Sequence, residues 1–520
     1  MTAGQNFRGL VMASATRIFR NLYRDSVSLM QISARLAKLP GIGQAQAIMA
    51  SENNLALLRE AGLLTDAVEA SPNDILLAVA ADSDAELTAA LDEAETALNE
   101  KPPSSGDGSR AREPSRSLEM GLEAMPGANL ALISTPSDYA PAEAMKALRL
   151  GLSVMLFSDN VSLADEIALK RYANDHDLIV MGPDCGTAIV NGVPLGFANS
   201  VRRGEIGVVG ASGTGLQQVT CLVDRLGKGI SQAIGTGGHD LHRGVGGISM
   251  LQGLQALSAD PATRLIVLIS KPPAKEVAAR ILSAAEKAGK PVVVNFLGAD
   301  PKAIERRNIH AAKTLEDAAS AAVALVQGGK PMGRKAAAPV VHDKLANGQR
   351  FIRGLYSGGT FCFEATMLVA EALTPVSSNT PVGTAAALEN VWRSSGHTLL
   401  DLGDDVFTRG RPHPMIDHRL RNERILAEAA DPETAVILLD IVLGTGSHPD
   451  PANEVARTVM QARAGAGPKP VFVGFVCGTE RDPQNLARQE ARLAEAGMVL
   501  ASSNAAAVRL AIQIALGARS

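Results

Sequence analysis

A chain of 520 residues is too long for one hydrophobic core, so several domains are expected. Its 46% hydrophobic and 20% charged content is that of a soluble globular protein, and a formal charge of −4 gives no electrostatic reason to bind nucleic acid or an anionic membrane. No apolar run approaches the roughly 20 residues that span a bilayer. The four scattered cysteines, Cys185, Cys221, Cys362 and Cys477, form neither a metal spacing nor a disulfide framework, so a cytoplasmic location is expected.

Residues 1–100 read as a leader followed by a small ferredoxin-like or ACT-like α+β module. Residues 1–20 hold Arg8, Arg17 and Arg20 and no acidic residue, a faint transit-peptide likeness without an apolar core. An unstructured leader, or an upstream start codon, is the expectation there. Arg17 to Tyr23 alternates as a strand, Val27 to Leu36 has helical spacing, and Ala45 to Met49 is a short apolar run. Asp74 to Ala80 is another strand, followed by Asp82 as helix cap and an Ala/Glu/Leu-rich helix to Leu98. Residues 101–120 read as a Pro/Ser/Gly linker, too polar to pack.

A second domain, 121–203, places strands near Leu130 to Ile133, Val154 to Phe157 and Leu178 to Val180, with a helix over Leu163 to Tyr172. A third, 204–328, opens on a strand, Ile206 to Val209, and continues through Leu265 to Ile269, Pro291 to Leu297 and the helix Leu315 to Val326. Residues 329–349 read as a second linker. The fourth domain, 350–520, opens on Arg353-Gly-Leu-Tyr-Ser-Gly-Gly-Thr360 and continues through strands Ala435 to Leu439 and Pro470 to Val476. The predicted fold class is α/β: several doubly wound parallel-sheet domains, Rossmann-like and flavodoxin-like, preceded by the small α+β module.

The most informative stretch is Gly204-Glu-Ile-Gly-Val-Val-Gly-Ala-Ser-Gly-Thr-Gly-Leu216. A buried-strand pattern runs into Gly210, Ser212, Gly213, Thr214 and Gly215, and a helix follows at once. That layout aims free backbone N–H groups and a helix dipole at one spot, which suits phosphate or carboxylate. It has neither the Lys of a Walker loop nor the dinucleotide glycine spacing, and Ser212 and Thr214 also serve as ordinary helix caps. Two more glycine turns end strands nearby. One is Gly182-Pro-Asp-Cys-Gly186, with Asp184 and Cys185; the other is Gly235-Thr-Gly-Gly-His239, with Gly237 and Gly238. Three such turns point to a ligand crevice at the carboxyl edge of parallel sheets.

Each candidate side chain has a plainer reading beside the functional one. Cys185 is a nucleophile or a packed thiol, and Asp184 a base or a turn residue. His239 is a candidate acid/base, or with His242 a metal pair lacking a third ligand. Around residue 411, Arg409, Arg411 and His413 sit among glycine and proline in a loop that can hold a planar anion bidentately, with His413 a second acid/base candidate. Thr479 and Arg481, in a charged turn at a strand end, are further substrate-binding candidates. No metal site is expected.

The succession GPDCG, GEIGVVGASGTG and GTGG resembles the α-subunit of succinyl-CoA synthetase. The chain is more similar still to FdrA, a fused and divergent relative of the acyl-CoA synthetases. That likeness extends over Asp25 to Met30, Phe157 to Val161 and Asp401 to Asp405. It implies a CoA-binding type of domain at 121–203, an α-like ligase domain at 204–328 and a β-like ligase domain at 350–520, fused and facing each other pseudo-symmetrically. The ATP-grasp domain of the β-subunit has no visible counterpart. The family's Gly-His-Ala-Gly phosphohistidine pattern is missing from Leu297 to Ala312, where His310 is a poor substitute.

The FdrA likeness implies a subunit of a carbamoyltransferase of purine and allantoin breakdown, resembling oxamate carbamoyltransferase, which turns oxalurate and phosphate into oxamate and carbamoyl phosphate. Phosphate or carbamoyl phosphate would then be the substrate, with no certain cofactor. The alternative is an acyl-CoA synthetase that binds CoA, and a third possibility is a non-catalytic regulatory subunit whose ACT-like module senses a metabolite. Small carboxylate and phosphate substrates, companion subunits and a homo-oligomer are the expected partners, with no nucleic acid and no membrane.

Overall fold

In a computed structural model, the residues described are 13–22, 24, 26–51, 54–55, 58–59, 63–64, 68–99, 115–330, 345–408 and 411–517. Most of both expected linkers therefore lies outside them. The chain groups into two compact units: residues 1–125, 134–136 and 405–416, and then 126–133, 137–404 and 417–520.

In the first unit, β1 (Ala13–Phe19), β2 (Ile42–Met49) and β3 (Ile75–Ala81) form an antiparallel sheet in the order β1-β3-β2. β3 is apolar throughout and buried, which suits the central position. The helices Ser26–Leu36 and Asp84–Asn99 bring Leu29, Leu36, Leu87, Ala94 and Leu98 against Ile75, Leu77 and Val79. β1 corrects the leader expectation. Residues 13–19 pair along their whole length with β3, so the ladder to an apolar neighbour places the strand earlier than Arg17 to Tyr23.

The second unit begins with β4 (Leu130–Ile133), β5 (Ser153–Leu156) and β6 (Val180–Met181), a small parallel sheet in that order. The next sheet contains β7 (Thr187–Val190), β8 (Val193–Gly196), β9 (Arg203–Gly210), β10 (Ile230–Gly235), β11 (Leu265–Ser270), β12 (Val292–Phe296) and β13 (Ile309–Ala311). Its order is β13-β12-β11-β9-β10-β7-β8. The last sheet contains β14 (Phe351–Tyr356), β15 (Val376–Ser378), β16 (Ala386–Ala387), β17 (His397–Asp401), β18 (Thr434–Val442), β19 (Val471–Cys477) and β20 (Val499–Ala501). Its order is β16-β15-β17-β14-β18-β19-β20.

Two runs within these orders, β10-β9-β11-β12-β13 and β17-β14-β18-β19-β20, share one winding. The chain starts on an inner strand, steps to one side, and crosses back to add the rest on the other. This is the flavodoxin-like order, whose crevice opens where the winding reverses, at the carboxyl ends of β9 and β14. β7 and β8 were not expected as strands. They form a hairpin turned by Asn191 and Gly192 at φ of 51° and 81°, and they join β10 antiparallel. Among the described residues, no helix is long and apolar enough to cross a membrane.

Candidate functional site

β9 ends at Gly210 and β14 at Tyr356, and each runs through a two-residue turn into a buried helix, Gly213–Arg225 and Gly359–Ala372. The two helix N-termini meet. The Ser212 and Thr360 hydroxyls are hydrogen-bonded at 2.6 Å. Reciprocally, a β carbon placed on Gly358 would lie 2.9 Å from the Thr214 methyl. The turns Ser212-Gly-Thr214 and Gly358-Gly-Thr360 thus contact each other as a self-complementary pair, each first residue against the other's threonine.

Local chemistry explains why the turns adopt this shape. Ser212 Oγ accepts from the Gly215 N–H at 2.9 Å, and a β carbon on Gly215 would sit 2.4 Å from that oxygen, so only glycine admits the cap. A β carbon on Gly210 would meet Leu216 at 3.0 Å, whereas one on Gly213 would meet only Thr187 Oγ1, at 3.4 Å. Gly213 therefore has room for a β carbon, in ordinary contact with Thr187. On the other turn, the buried Asp440 carboxylate accepts from the Ser357 N–H, the Ser357 hydroxyl and the Gly358 N–H, each at 2.8 Å. Arg421, fully buried, donates to Asp440 Oδ1 at 2.9 Å and to its carbonyl at 2.7 Å.

On the second turn the Asp440 bonds stop at Gly358, one residue before the helix. Among the described residues, the N–H groups of Gly213 and Thr214, and of Gly359 and Thr360, donate to no protein group. Four free donors and two helix dipoles therefore converge on one place, an arrangement that stabilises a multiply charged anion.

The other two predicted glycine turns pack beside this one. A β carbon on Gly237, at φ +83°, would lie 2.2 Å from the Pro183 carbonyl, and Gly238 lies near Asp184 Oδ2. Gly182, at φ +112°, is pressed against the Leu156 carbonyl, and Asp184 is itself left-handed at φ 53°. Lys170, fully buried, secures the third turn by donating to Glu166, to the Thr236 carbonyl and to Asp240 at 2.7–2.9 Å. The three predicted turns therefore lie side by side, and the Gly358 turn joins them.

Several candidates take structural parts instead. Cys185 is buried, its thiol pushed up to about 12 by burial and bonded to the Thr187 carbonyl, so it is a packed thiol rather than a substrate contact. Thr479 is also buried, donating to the Ser200 carbonyl at 2.6 Å while Asp482 accepts from its N–H. Arg481 is exposed at the surface, 3.9 Å from Asp224, and stands apart from the glycine turns in a shallow pocket with Arg202, Arg225 and Glu480. His239 is exposed, its Nδ1 3.6 Å from Glu166, while Asp240 spends its oxygens on Lys170 and the Ser249 and Met250 N–H groups. The metal alternative for this loop fails with Asp240 so engaged.

The arginine loop divides differently from the glycine turns. Arg411 is exposed and His413 half-buried, its Nδ1 accepting from the Met415 N–H at 3.2 Å; both belong to the first unit. Arg409 lies outside the described residues. His310 sits in β13 level with Val293, three strand spacings from β9, about 14 Å. It does not reach the paired helix ends.

Thr360, Asp401, Asp440 and Lys271 were not singled out from the sequence. An aspartate inside the apolar run Thr434–Val442 was a usable signal for Asp440, because a buried charge demands fixed partners.

Comparison with known proteins places three families along the chain. Residues 12–114 match "AllF, heavy metal-associated domain", residues 201–298 the CoA binding domain and residues 355–514 CoA-ligase. The chain is 43% identical over 494 residues to the uncharacterized protein YahF of Escherichia coli, covering 93% of this chain and 95% of that one. It is 27% identical over 193 residues to a succinate–CoA ligase [ADP-forming] subunit alpha of Staphylococcus epidermidis, covering 36% of this chain and 61% of that subunit. A solved dinucleotide-forming acetyl-coenzyme A synthetase 1 of Ca. Korarchaeum cryptofilum aligns over 75% of this chain and 84% of its own, with 16% identity and a TM-score of 0.32.

These matches support the CoA-ligase alternative over the carbamoyltransferase expectation. The heavy-metal description does not fit the residues present. Residues 12–114 contain no cysteine and no histidine, and among the described residues no group of three His, Cys, Asp or Glu could hold a metal ion.

Proposed function

The chain belongs to the family of the Escherichia coli protein YahF, with CoA-binding and CoA-ligase domains, and from that premise we propose that it moves an acyl group between phosphate and the thiol of CoA. The observation that carries this reading is the pairing of two helix N-termini through Ser212 and Thr360, with free N–H donors on both sides. Such a site holds the phosphate of an acyl phosphate and stabilises the charge that grows on it as the acyl–oxygen bond breaks. Gly213, with no side chain beside Thr187, lets the backbone approach the anion.

The placement of His310 favours a reaction that needs no phosphohistidine at this site. That observation keeps the oxamate carbamoyl transfer as a second reading, since carbamoyl phosphate is itself an acyl phosphate. The test is to incubate the purified chain with CoA and acetyl, succinyl or carbamoyl phosphate and follow thioester formation and phosphate release. Thioester is expected with at least one acyl phosphate. Gly213→Val should abolish it while leaving the unfolding midpoint in place. Carbamoyl phosphate formed from oxalurate and phosphate, with no thioester from any acyl phosphate, would establish the second reading instead.

A further inference from the structure

Two charged residues at the paired helix ends have no part in holding the turns together. Asp401 ends β17, in register with Tyr356, the last residue before the second turn. Its backbone is clamped by Asn379, which accepts from the Asp401 N–H at 2.9 Å and donates to its carbonyl at 3.0 Å. The side chain is buried, 7% exposed, with Oδ1 accepting from the Gly403 N–H at 3.0 Å. Oδ2 accepts no hydrogen bond among the described residues and is turned to the first residue of the helix. A β carbon on Gly359 would lie 2.5 Å from it. A carboxylate oxygen that no protein group satisfies, set beside two helix N-termini, is available to a ligand.

Lys271 follows β11, the neighbour of β9, where Ile269 is level with Gly210. Its side chain is exposed and, among the described residues, makes no ion pair or hydrogen bond. The ammonium lies 5.8 Å from the centre of the Phe363 ring, on the first turn of the Gly359 helix. A cation without an ion pair from the CoA-binding domain and an unpartnered carboxylate oxygen from the CoA-ligase domain thus lie near the same helix ends.

We infer that Asp401 is the proton-accepting residue of this site and Lys271 its anion-holding cation, an inference that rests on the acyl-transfer reading. In the direction of thioester formation, the thiol gives its proton to Asp401 Oδ2 as its sulfur bonds to the acyl carbon. The carbon–oxygen bond to phosphate then breaks, and the departing phosphate keeps the electron pair. Its charge is met by the free N–H groups and by Lys271. Burial lifts the Asp401 carboxyl to about 6, Lys271 and the Gly403 N–H pull it down, and Asp404 and Asp440 push it up. Cys362 completes the charged and titratable groups around it, with a thiol held neutral by burial. A carboxylate with that affinity is ionised at neutral pH and still basic enough to take a proton.

The experiment measures inorganic phosphate binding by calorimetry, and acyl-phosphate:CoA turnover across pH, for the full chain and two variants. Asp401→Asn should lower kcat by about 100-fold or more. It should leave the phosphate Kd within twofold, and remove the fall in kcat/KM below about pH 6. Lys271→Ala should raise the phosphate Kd about tenfold, with a smaller change in kcat. Phosphate binding by the unaltered chain without turnover would overturn the acyl-transfer reading. An active chain whose Asp401→Asn variant keeps its rate and its acidic limb would overturn the assignment of Asp401 alone. Unchanged phosphate affinity in Lys271→Ala would do the same for Lys271.

Discussion

Asp440 accepts four side-chain-directed bonds, from Ser357 twice, from Gly358 and from Arg421, and no water is needed to satisfy it. Its removal would leave the Arg421 guanidinium buried with no opposing charge and would release the turn that aims the Gly359 helix. Asp440→Ala should therefore lose about 3–5 kcal/mol in urea unfolding. A loss below 1 kcal/mol would show that the turn holds its shape without this carboxylate. Around Asp440, the sequence was only partly legible. The glycines of the first turn were readable because strand, turn and helix are consecutive. Asp401 and Lys271 were not, because they come from strands far away in sequence and acquire meaning only when β17 and β11 lie beside β14 and β9.

At the scale of one element, the Gly359 helix carries a second buried carboxylate, Glu364. It accepts from the Leu315 N–H and from Asn504 Nδ2, both at 2.8 Å, and so ties this helix to two others. Burial lifts it to about 7, from an ordinary 4.5, although both hydrogen bonds and Arg509 oppose the shift. Because the folded state holds this proton more tightly than the unfolded chain does, the stabilising contribution is complete below about pH 4.5. It is lost as pH rises through 7. Urea unfolding should thus show declining stability between pH 5 and 8, by on the order of a few kcal/mol. Glu364→Gln should flatten most of that slope, leaving the smaller part due to Asp401. An unaltered slope in the variant would remove Glu364 as its source. Element types were legible in the second unit where a buried strand is a long apolar run bounded by turn residues, as in β9, β11, β12, β18 and β19, whereas the short β13, β15, β16, β17 and β20 were not expected. The β7–β8 hairpin was not expected although Asn191-Gly192 is its usual signature, because its two four-residue strands are too short to stand out between longer apolar runs.

For the molecule as a whole, doubly wound parallel sheets were legible from strands alternating with helices behind glycine turns in both the 204–328 and 350–520 segments. Strand order was not, because neighbours in a parallel sheet are set by crossovers rather than by adjacent sequence. The first unit shows the reverse case, a fold matched to a heavy-metal family without its chemistry. Soft metals are held chiefly by thiolate or imidazole donors, and residues 12–114 have neither cysteine nor histidine. The chain should leave a desalting column with less than one tenth of an equivalent of copper or zinc after incubation with either. Stoichiometric retention that survives chelator washing would contradict this.

The self-complementary contact of Ser212 and Gly358 with Thr360 and Thr214 joins two modules of the same polypeptide. When two such halves are separate molecules, the fraction of complete sites falls with dilution. Tethering makes their encounter a matter of effective concentration, which short flexible connections hold near the millimolar range. Ser212 and Thr360, only 148 residues apart along one chain, therefore meet at a rate and with an occupancy that no change in expression level can alter.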